Sequence, residues 1–136
     1  MVKVMFLCTG NSCRSQIAEG FARELCTGIF EPYSAGLSPS GVVHPKAVAV
    51  MKEIGIDISR QRSKSIDKDL LEQMEIVITL CGNAEASCPM TPPKIEHLNW
   101  AIDDPVAAKG TEEEILAKFR KARDEIKIRI EELIPS

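Results

Sequence analysis

A cysteine and an arginine bracket five residues in the segment 8–14, which follows the apolar run 2–7 and precedes a helical pattern. A loop between a strand and a helix N-terminus turns backbone N–H groups toward one point and binds tetrahedral oxyanions. The same positive field stabilises a thiolate, which makes Cys8 the expected nucleophile. The planar guanidinium of Arg14 is suited to hold two oxygens of the anion. The segment therefore predicts covalent chemistry on an oxyanion.

The residues within this loop and directly after it have predicted roles as well. Together with Arg14, the expected substrate-binding residues are Thr9, Gly10, Asn11, Ser12 and Cys13. The Ser15 hydroxyl is placed to donate a hydrogen bond to the Cys8 thiolate. The competing interpretation is a buried Cys8 with Arg14 on the surface, which the polar, glycine-containing pair after the cysteine disfavours.

The chemistry also needs an acid, because an oxygen displaced from a tetrahedral centre must be protonated as it leaves. Asp103-Asp104-Pro105 offers carboxylic acids on a loop. We expect Asp104, next to the proline, to be the acid and Asp103 to be structural. By itself this tripeptide indicates only a turn. The acid role is predicted because the chain also carries the expected nucleophile Cys8 and the anion-binding Arg14.

The elements that must position these groups alternate between strand and helix. Strands are predicted at 2–7, 29–34, 75–80 and 94–99, and helices at 17–25, 45–54, 67–74 and 111–133. Pro32 favours a sheet edge for the second strand, and the near-continuous apolar run 75–80 favours a central one. Thr111 and Glu114 form a capping box at the last helix. The pattern predicts an α/β fold: one doubly wound domain with a four-stranded parallel sheet flanked by helices, and the Cys8 loop at the carboxyl end of its first strand.

Size and composition are those of one folded domain over residues 1–136, with 44% hydrophobic and 27% charged residues. The net charge is −3 and the basic residues are interleaved with acids, so no nucleic-acid surface is expected. No stretch approaches a membrane span or a signal peptide, and we expect a cytoplasmic protein. Five cysteines, an odd number, favour catalytic, metal-bound or buried thiols over a static disulfide framework.

Motifs along the whole chain resemble those of the low-molecular-weight protein tyrosine phosphatases and, more narrowly, their thioredoxin-coupled arsenate reductase branch. The phosphatase-like fold is implied by residues 8–15 together with Asp104-Pro105. The narrower resemblance rests on Gln16-Ile17-Ala18-Glu19-Gly20, Tyr33-Ser34-Ala35-Gly36, Gly55-Ile56-Asp57-Ile58-Ser59, Thr79-Leu80-Cys81-Gly82, Cys88-Pro89 and Arg123-Asp124-Glu125-Ile126. The pair Cys81 and Cys88 is the specific part, because simple phosphatases of this fold do not need it.

The resemblance implies a relay of three thiols that uses no cofactor. Cys8 attacks arsenate held by the loop amides and Arg14, while Asp104 protonates the departing oxygen. Cys81 then attacks Cys8, which releases arsenite and leaves a Cys8–Cys81 disulfide. Cys88 attacks Cys81 in turn, and thioredoxin reduces the exposed Cys81–Cys88 bond.

The spacing of the two later thiols sets a geometric condition on this relay. Cys81 and Cys88 are seven residues apart, which is a rise of about 10.5 Å on an intact helix, whereas a disulfide needs Cα atoms within about 7 Å. Oxidation must therefore unwind or loop out residues 82–87, and we expect a redox-switched element there.

Other interpretations of the cysteines stay open. Cys81 and Cys88 could be two packed core thiols. They could also belong to a zinc site, although the chain has no Cys-x-x-Cys and neither of its two histidines is placed as a ligand. Cys13 and Cys26 are expected to be packed or bystander thiols.

The resemblance also implies a potassium site beside the loop, at positions that match Asn11, Glu19 and Ser34 plus a carboxylate. Lys64 stands at the position of that carboxylate. Its ammonium group could take the place of the ion and pair with Glu19, so potassium binding is not expected. The alternative is that Lys64 is a solvated surface lysine. In either case Asn11, Glu19 and Ser34 would support the loop through hydrogen bonds.

Arsenate reduction is the predicted function, with arsenate as substrate, thioredoxin as reductant and a monomeric enzyme. The alternative is a low-molecular-weight protein tyrosine phosphatase or small-phosphoester hydrolase, which would use Cys8, Arg14 and Asp104 through a phospho-cysteine. Val106-Ala107 replaces the aromatic residue expected after Asp-Pro in such a phosphatase, although a weak phosphatase side activity fits the shared shape of the two anions. A third possibility is a non-catalytic redox sensor or anion-binding partner protein.

Overall fold

The computed structural model describes residues 1–80 and 95–134. Four parallel strands form one sheet in the order β2-β1-β3-β4. The strands are β1 Val2–Cys8, β2 Phe30–Gly36, β3 Ile76–Thr79 and β4 Glu96–Asn99. The helices are α1 Arg14–Leu25, α2 Pro45–Lys52, α3 Lys68–Glu72 and α4 Glu112–Leu133, with a short 3-10 helix at Pro105–Ala107. The predicted fold class is confirmed.

The strand order places the end of β1 between the ends of its two neighbours. Cys8 is in register with Gly36 of β2, and Leu7 is in register with Thr79 of β3. Pro32 lies on β2, an edge strand, as its missing N–H requires. The loop after Cys8 therefore opens at the carboxyl edge of the sheet, where open α/β sheets bind ligands.

Successive side chains of β1 point to opposite faces of the sheet and are buried in two separate cores. Helices therefore cover both faces of the sheet. Val4 and Phe6 pack into a core built with α1, α2 and α4. Met5 and Leu7 pack on the opposite face with residues of and next to α3, such as Leu71 and Met74. Within the described residues, no helix is long and apolar enough to cross a membrane.

The long helix α4 begins and packs as predicted. The Thr111 hydroxyl accepts from the Glu114 backbone N–H, and the Glu114 carboxylate accepts from the Thr111 backbone N–H, so the capping box is present. The apolar face is buried at Phe119, Ala122, Ile126 and Ile130. The α4 helix thereby packs against α1, the helix that follows the Cys8 loop.

Several element ends differ from the prediction: α1 begins at Arg14 instead of Ile17, β2 ends at Gly36 instead of Ser34, and α2 and α3 are shorter than predicted. The second helix ends at Lys52 instead of Ile54, because the Ile54 N–H bonds to the Met51 carbonyl and the chain then turns through Gly55 at φ +82°. The third helix is shorter than residues 67–74, because Asp67 caps its start and Glu72 is its last residue. Lys94, the first residue of the predicted fourth strand, lies outside the described residues.

Candidate active site

The loop after β1 turns its carbonyl oxygens away from the cavity that it encloses. Four of them accept hydrogen bonds from backbone N–H groups of the segment 37–44 at 2.8–3.2 Å: those of Cys8, Thr9, Gly10 and Ser12. The Asn11 carbonyl accepts from the Gln16 side chain at 2.9 Å. In a trans peptide the next N–H points opposite to the carbonyl, so the N–H groups of residues 9–13 point away from these partners. Of these residues, Thr9, Gly10, Ser12 and Cys13 line the cavity.

Two backbone features allow this tight turn. Asn11 adopts φ +47°, a left-handed conformation that asparagine tolerates better than most residues. Gly36, at the end of β2, approaches so closely that an added Cβ would lie 2.9 Å from the Asn11 N and from the Thr9 carbonyl oxygen. The loop is therefore braced against a neighbouring strand and not suspended in solvent.

The start of α1 adds a favourable field for an anion. Cys13 occupies the N-cap position without a side-chain cap, and the first turn carries no acidic residue. The positive end of the 12-residue helix thus points toward the same cavity as the loop amides.

Cys8 is buried at the mouth of this loop, and its sulfur contacts the Ser15 hydroxyl. The Cys8 Sγ lies 2.9 Å from Ser15 Oγ, and Asn11 Nδ2 donates to the same Ser15 Oγ at 2.7 Å. The Ser15 oxygen accepts from Asn11, and its own proton remains available for a hydrogen bond to the sulfur. The arrangement suits a thiolate that accepts a hydrogen bond.

Arg14 is fixed by the ends of two other segments. Its Nη1 donates to the Ile102 carbonyl at 2.9 Å and lies 3.5 Å from the Leu80 carbonyl oxygen. The residue is only 7% exposed. Its Nη2 lies 3.5 Å from Asp104 Oδ2, which leaves that side of the guanidinium directed toward the cavity.

Asp104 is held at the rim by its own turn. Its Oδ1 accepts from the Val106 N–H at 3.0 Å and caps the 3-10 helix. Its side chain is 44% exposed, so the ion pair with Arg14 is weak and not buried.

The candidate nucleophile, cation and acid all line one small cavity of about 220 Å³. Its lining residues are Cys8, Thr9, Gly10, Ser12, Cys13, Arg14, Asp104 and Val106.

The other described cysteines are poor nucleophiles. Burial raises the pKa of Cys13 far above its ordinary value, and the nearby Cys8 and Asp104 add to the effect. Burial also raises the pKa of Cys26. Both thiols are buried and free. Cys81 and Cys88, and the redox-switched element predicted between them, lie outside the described residues.

The predicted support around Glu19 is present in the structure. Lys64 Nζ lies 3.7 Å from Glu19 Oε1 and 3.3 Å from Ser34 Oγ, and Ser34 donates to Glu19 at 2.5 Å. Burial lowers the pKa of Lys64, while Glu19 opposes that shift. An ammonium group therefore lies beside Glu19 and Ser34, two of the three side chains that the resemblance assigned to potassium. The third, Asn11, accepts through Oδ1 from the Lys64 backbone N–H at 2.9 Å. Among residues 1–80 and 95–134 no group of three or more metal-ligating side chains is gathered.

His44 borders the same loop. Its backbone N–H donates to the Ser12 carbonyl at 2.8 Å, and its Nδ1 accepts from the Lys46 N–H at 3.1 Å at the start of α2. Its ring packs on Phe119, with centroids 4.9 Å apart. Burial, reinforced by Lys46, lowers the pKa of His44.

Some residues that shape the site were not predicted from the sequence. The segment 37–44, the carbonyls that hold Arg14, and the side chain of Gln16 all act through contacts with residues distant in the chain. Gln16 carried a weak signal, because it follows Ser15 directly within a motif quoted for the resemblance.

Comparison with known proteins shows the family of the chain. The model of the low molecular weight phosphotyrosine protein phosphatases matches residues 3–136. The chain belongs to that family. The family resemblance inferred from the motifs is thus confirmed, over nearly the full length of the chain.

Several relatives of the chain within this family carry the name arsenate reductase. The chain is 52% identical over 129 residues to the arsenate reductase of Bacillus subtilis (strain 168), covering 95% of this chain and 92% of the relative. A solved arsenate reductase in the oxidized state superposes with a TM-score of 0.83 at 40% identity, covering 98% of this chain and 96% of that one. A thioredoxin-dependent arsenate reductase of Corynebacterium glutamicum superposes with a TM-score of 0.70 at 28% identity, covering 96% of this chain and 62% of that one.

Proposed function

We propose that this chain is an arsenate reductase that converts arsenate to arsenite through three cysteines and is recharged by thioredoxin. The observation that carries the proposal is the Cys8 sulfur, hydrogen-bonded to Ser15 inside an amide-lined cavity that Arg14 and Asp104 complete. The names of the relatives support arsenate as the oxyanion. The thioredoxin-dependent neighbour supports the reductant.

The first step is nucleophilic displacement at arsenic. The Cys8 thiolate attacks As(V), and one oxygen leaves as water after receiving a proton from Asp104. Loop amides and Arg14 bind the remaining oxygens and the negative charge that they carry. Ser15 stabilises the thiolate before attack through its hydroxyl proton.

The second step transfers the electrons. Cys81 attacks the Cys8 sulfur, a Cys8–Cys81 bond forms, and the electron pair of the S–As bond stays on arsenic as arsenite leaves. Cys81 follows Leu80, whose carbonyl oxygen lies 3.5 Å from Arg14 Nη1. The described part of the chain thus reaches Leu80 beside Arg14, one residue before Cys81 in the sequence.

The third step regenerates the nucleophile. Cys88 attacks Cys81, which frees Cys8 as a thiol, and a dithiol of thioredoxin then reduces the Cys81–Cys88 bond by exchange. The spacing argument excludes an intact helix over residues 82–87 once Cys81 and Cys88 are bonded, and we infer a change of backbone conformation there during this exchange. We also infer that residues 1–136 act as a single domain and as a monomer, because the scheme takes all three thiols from one chain.

Phosphoester hydrolysis is the second candidate, because the family description is that of a phosphotyrosine phosphatase. Its chemistry would need only Cys8, Arg14 and Asp104, with water opening a phospho-cysteine. The residue after Asp104-Pro105 is Val106, whose short aliphatic side chain lines the cavity and offers no ring to stack on a phosphotyrosine. We therefore place phosphatase activity as a minor one.

Multiple turnover with arsenate, thioredoxin, thioredoxin reductase and NADPH tests the proposal. Cys8→Ser, Cys81→Ser and Cys88→Ser are each expected to abolish sustained NADPH oxidation. Cys26→Ala is the matched control, since Cys26 is buried in the core away from the cavity, and it is expected to retain turnover. Full sustained activity of Cys81→Ser would refute the relay.

A further inference from the structure

The fully buried side chain of Gln16 ties the loop to the segment behind it. Its Nε2 lies 2.9 Å from the Asn11 carbonyl oxygen, 3.0 Å from Asn11 Oδ1 and 2.8 Å from the Arg62 carbonyl oxygen. Its Oε1 accepts from Gln61 Nε2 at 2.8 Å. The orientation of both amides is determined, because Arg23 donates to Gln61 Oε1 and so turns Gln61 Nε2 toward Gln16.

These bonds restrain Asn11 in a conformation that is unfavourable for a residue with a side chain. Gln16 binds both the carbonyl and the Oδ1 of Asn11, and the Lys64 backbone N–H also donates to that Oδ1. With Oδ1 held, Asn11 Nδ2 is directed at Ser15 Oγ, which lies 2.9 Å from the Cys8 sulfur. Three hydrogen bonds in series thus connect Gln16 to the nucleophile.

We propose that Gln16 is a positioning residue for the oxyanion loop, which it serves by fixing the backbone and side chain of Asn11. Held in this way, Asn11 keeps the neighbouring N–H groups directed into the cavity and keeps the Ser15 proton directed at Cys8. Gln16 is not among the residues that line the cavity, so it acts through Asn11 and not on the anion itself. The identity of the anion rests on the proposed function, but the role of Gln16 does not.

The Gln16→Met variant isolates this role, because methionine preserves length and approximate volume and removes the amide donor and the amide oxygen. Without the amide, Asn11 loses two of its restraints. The Cys8 thiolate then loses an aligned donor, and the anion loses converging amides. A residue that only stabilised the fold would alter neither property in the folded protein.

The experiment measures Cys8 reactivity and anion affinity in the reduced full-length chain. The rate of iodoacetamide alkylation is followed against pH by mass spectrometry of the tryptic peptide 4–14, in which fragment ions separate Cys8 from Cys13. Phosphate binding is measured by calorimetry. We expect Gln16→Met to raise the alkylation midpoint of Cys8 by about 1 pH unit and to weaken phosphate binding by about 5- to 10-fold.

Two further variants keep the test decisive. Thr111→Ala removes the capping box at the start of α4 and has no hydrogen bond to Gln16 or Asn11, so it is expected to lower the unfolding midpoint while leaving the Cys8 alkylation midpoint unchanged. Gln16→Asn keeps the amide but shortens its reach, and it is expected to shift both Cys8 readouts in the same direction as Gln16→Met.

The proposal is wrong if either folded Gln16 variant alkylates at Cys8 with the parent pH profile and binds phosphate with the parent affinity. Neither readout requires arsenate turnover. A chain that failed to reduce arsenate would therefore refute the proposed function, while a shifted alkylation profile in Gln16→Met would still establish the positioning role.

Discussion

The close contact between β2 and the oxyanion loop makes Gly36→Ala an informative substitution. An added Cβ at Gly36 would lie 2.9 Å from the Asn11 N, from the Asn11 Cβ and from the Thr9 carbonyl oxygen. Two of these three atoms belong to the backbone, so no side-chain rotation relieves the clash. The loop or the strand end has to move.

The expected magnitude follows from this overpacking. Forcing one methyl group into a packed contact costs about 1–3 kcal/mol. For 136 residues the entropy of unfolding is about 0.3 kcal/mol/K, so the thermal midpoint should fall by about 3–10 °C. The displaced loop should also bind phosphate about 10-fold more weakly, which corresponds to about 1.4 kcal/mol.

Thermal unfolding and phosphate calorimetry measure both effects, with Gly28→Ala as the matched control. Gly28 has φ +81° and no atom within 4 Å of an added Cβ, so alanine there costs about 1–2 kcal/mol of backbone strain without a clash. The control should lose stability but keep the phosphate affinity of the parent. Parent-like phosphate affinity in Gly36→Ala would refute the claim that this contact shapes the loop.

Substitutions of three residues at or next to the cavity, Ser15, Asp104 and His44, give three further predictions. Ser15→Ala should raise the pH midpoint of Cys8 alkylation by about 1–2 units, because a hydrogen bond to a charged group is worth about 1.5–3 kcal/mol; an unchanged midpoint in the peptide-resolved assay would contradict this. Asp104→Asn keeps an acceptor for the Val106 N–H but cannot donate a proton, so kcat for arsenate should fall about 10²- to 10⁴-fold with phosphate affinity largely kept; unchanged kcat would rule out the acid role. The pKa of His44 is lower in the folded chain than in the unfolded chain. As the pH falls below about 6.5, His44 is therefore protonated in the unfolded chain before the folded one, and the free energy of unfolding should decrease. His44→Asn, which keeps a capping oxygen, should lose less stability between pH 7.5 and 5.5 in urea unfolding, and an identical loss would show that His44 does not contribute.

Local signals predicted the elements of this fold well. Pro32 lacks an N–H and lies on the edge strand, and the reciprocal bonds of Thr111 and Glu114 start α4. These outcomes depend on residues adjacent in the chain, so the sequence alone contains them. The end of α2 was predicted less well, because a competing bond from Ile54 to Met51 tightens its last turn.

The sequence predicted the reactive residues of the candidate site but not the distant residues that hold them in place. The types and spacing of Cys8, Arg14 and Ser15 indicated a nucleophile in an anion loop, and the structure brings them together with Asp104. The carbonyl of Ile102 that holds Arg14 is 88 residues away. Such contacts depend on tertiary packing and leave no local pattern to read.

The central claim is that electrons reach arsenic through a Cys8–Cys81 disulfide, and single turnover of the Cys88→Ser variant tests it most directly. The variant is reduced, freed of reductant and mixed with excess arsenate, after which arsenite is quantified and the tryptic peptides 4–14 and 69–94 are mapped without reduction. We predict one arsenite per chain and a bond between Cys8 and Cys81 that joins the two peptides. Release of no arsenite, or release of arsenite while Cys81 remains a free thiol, would contradict the account.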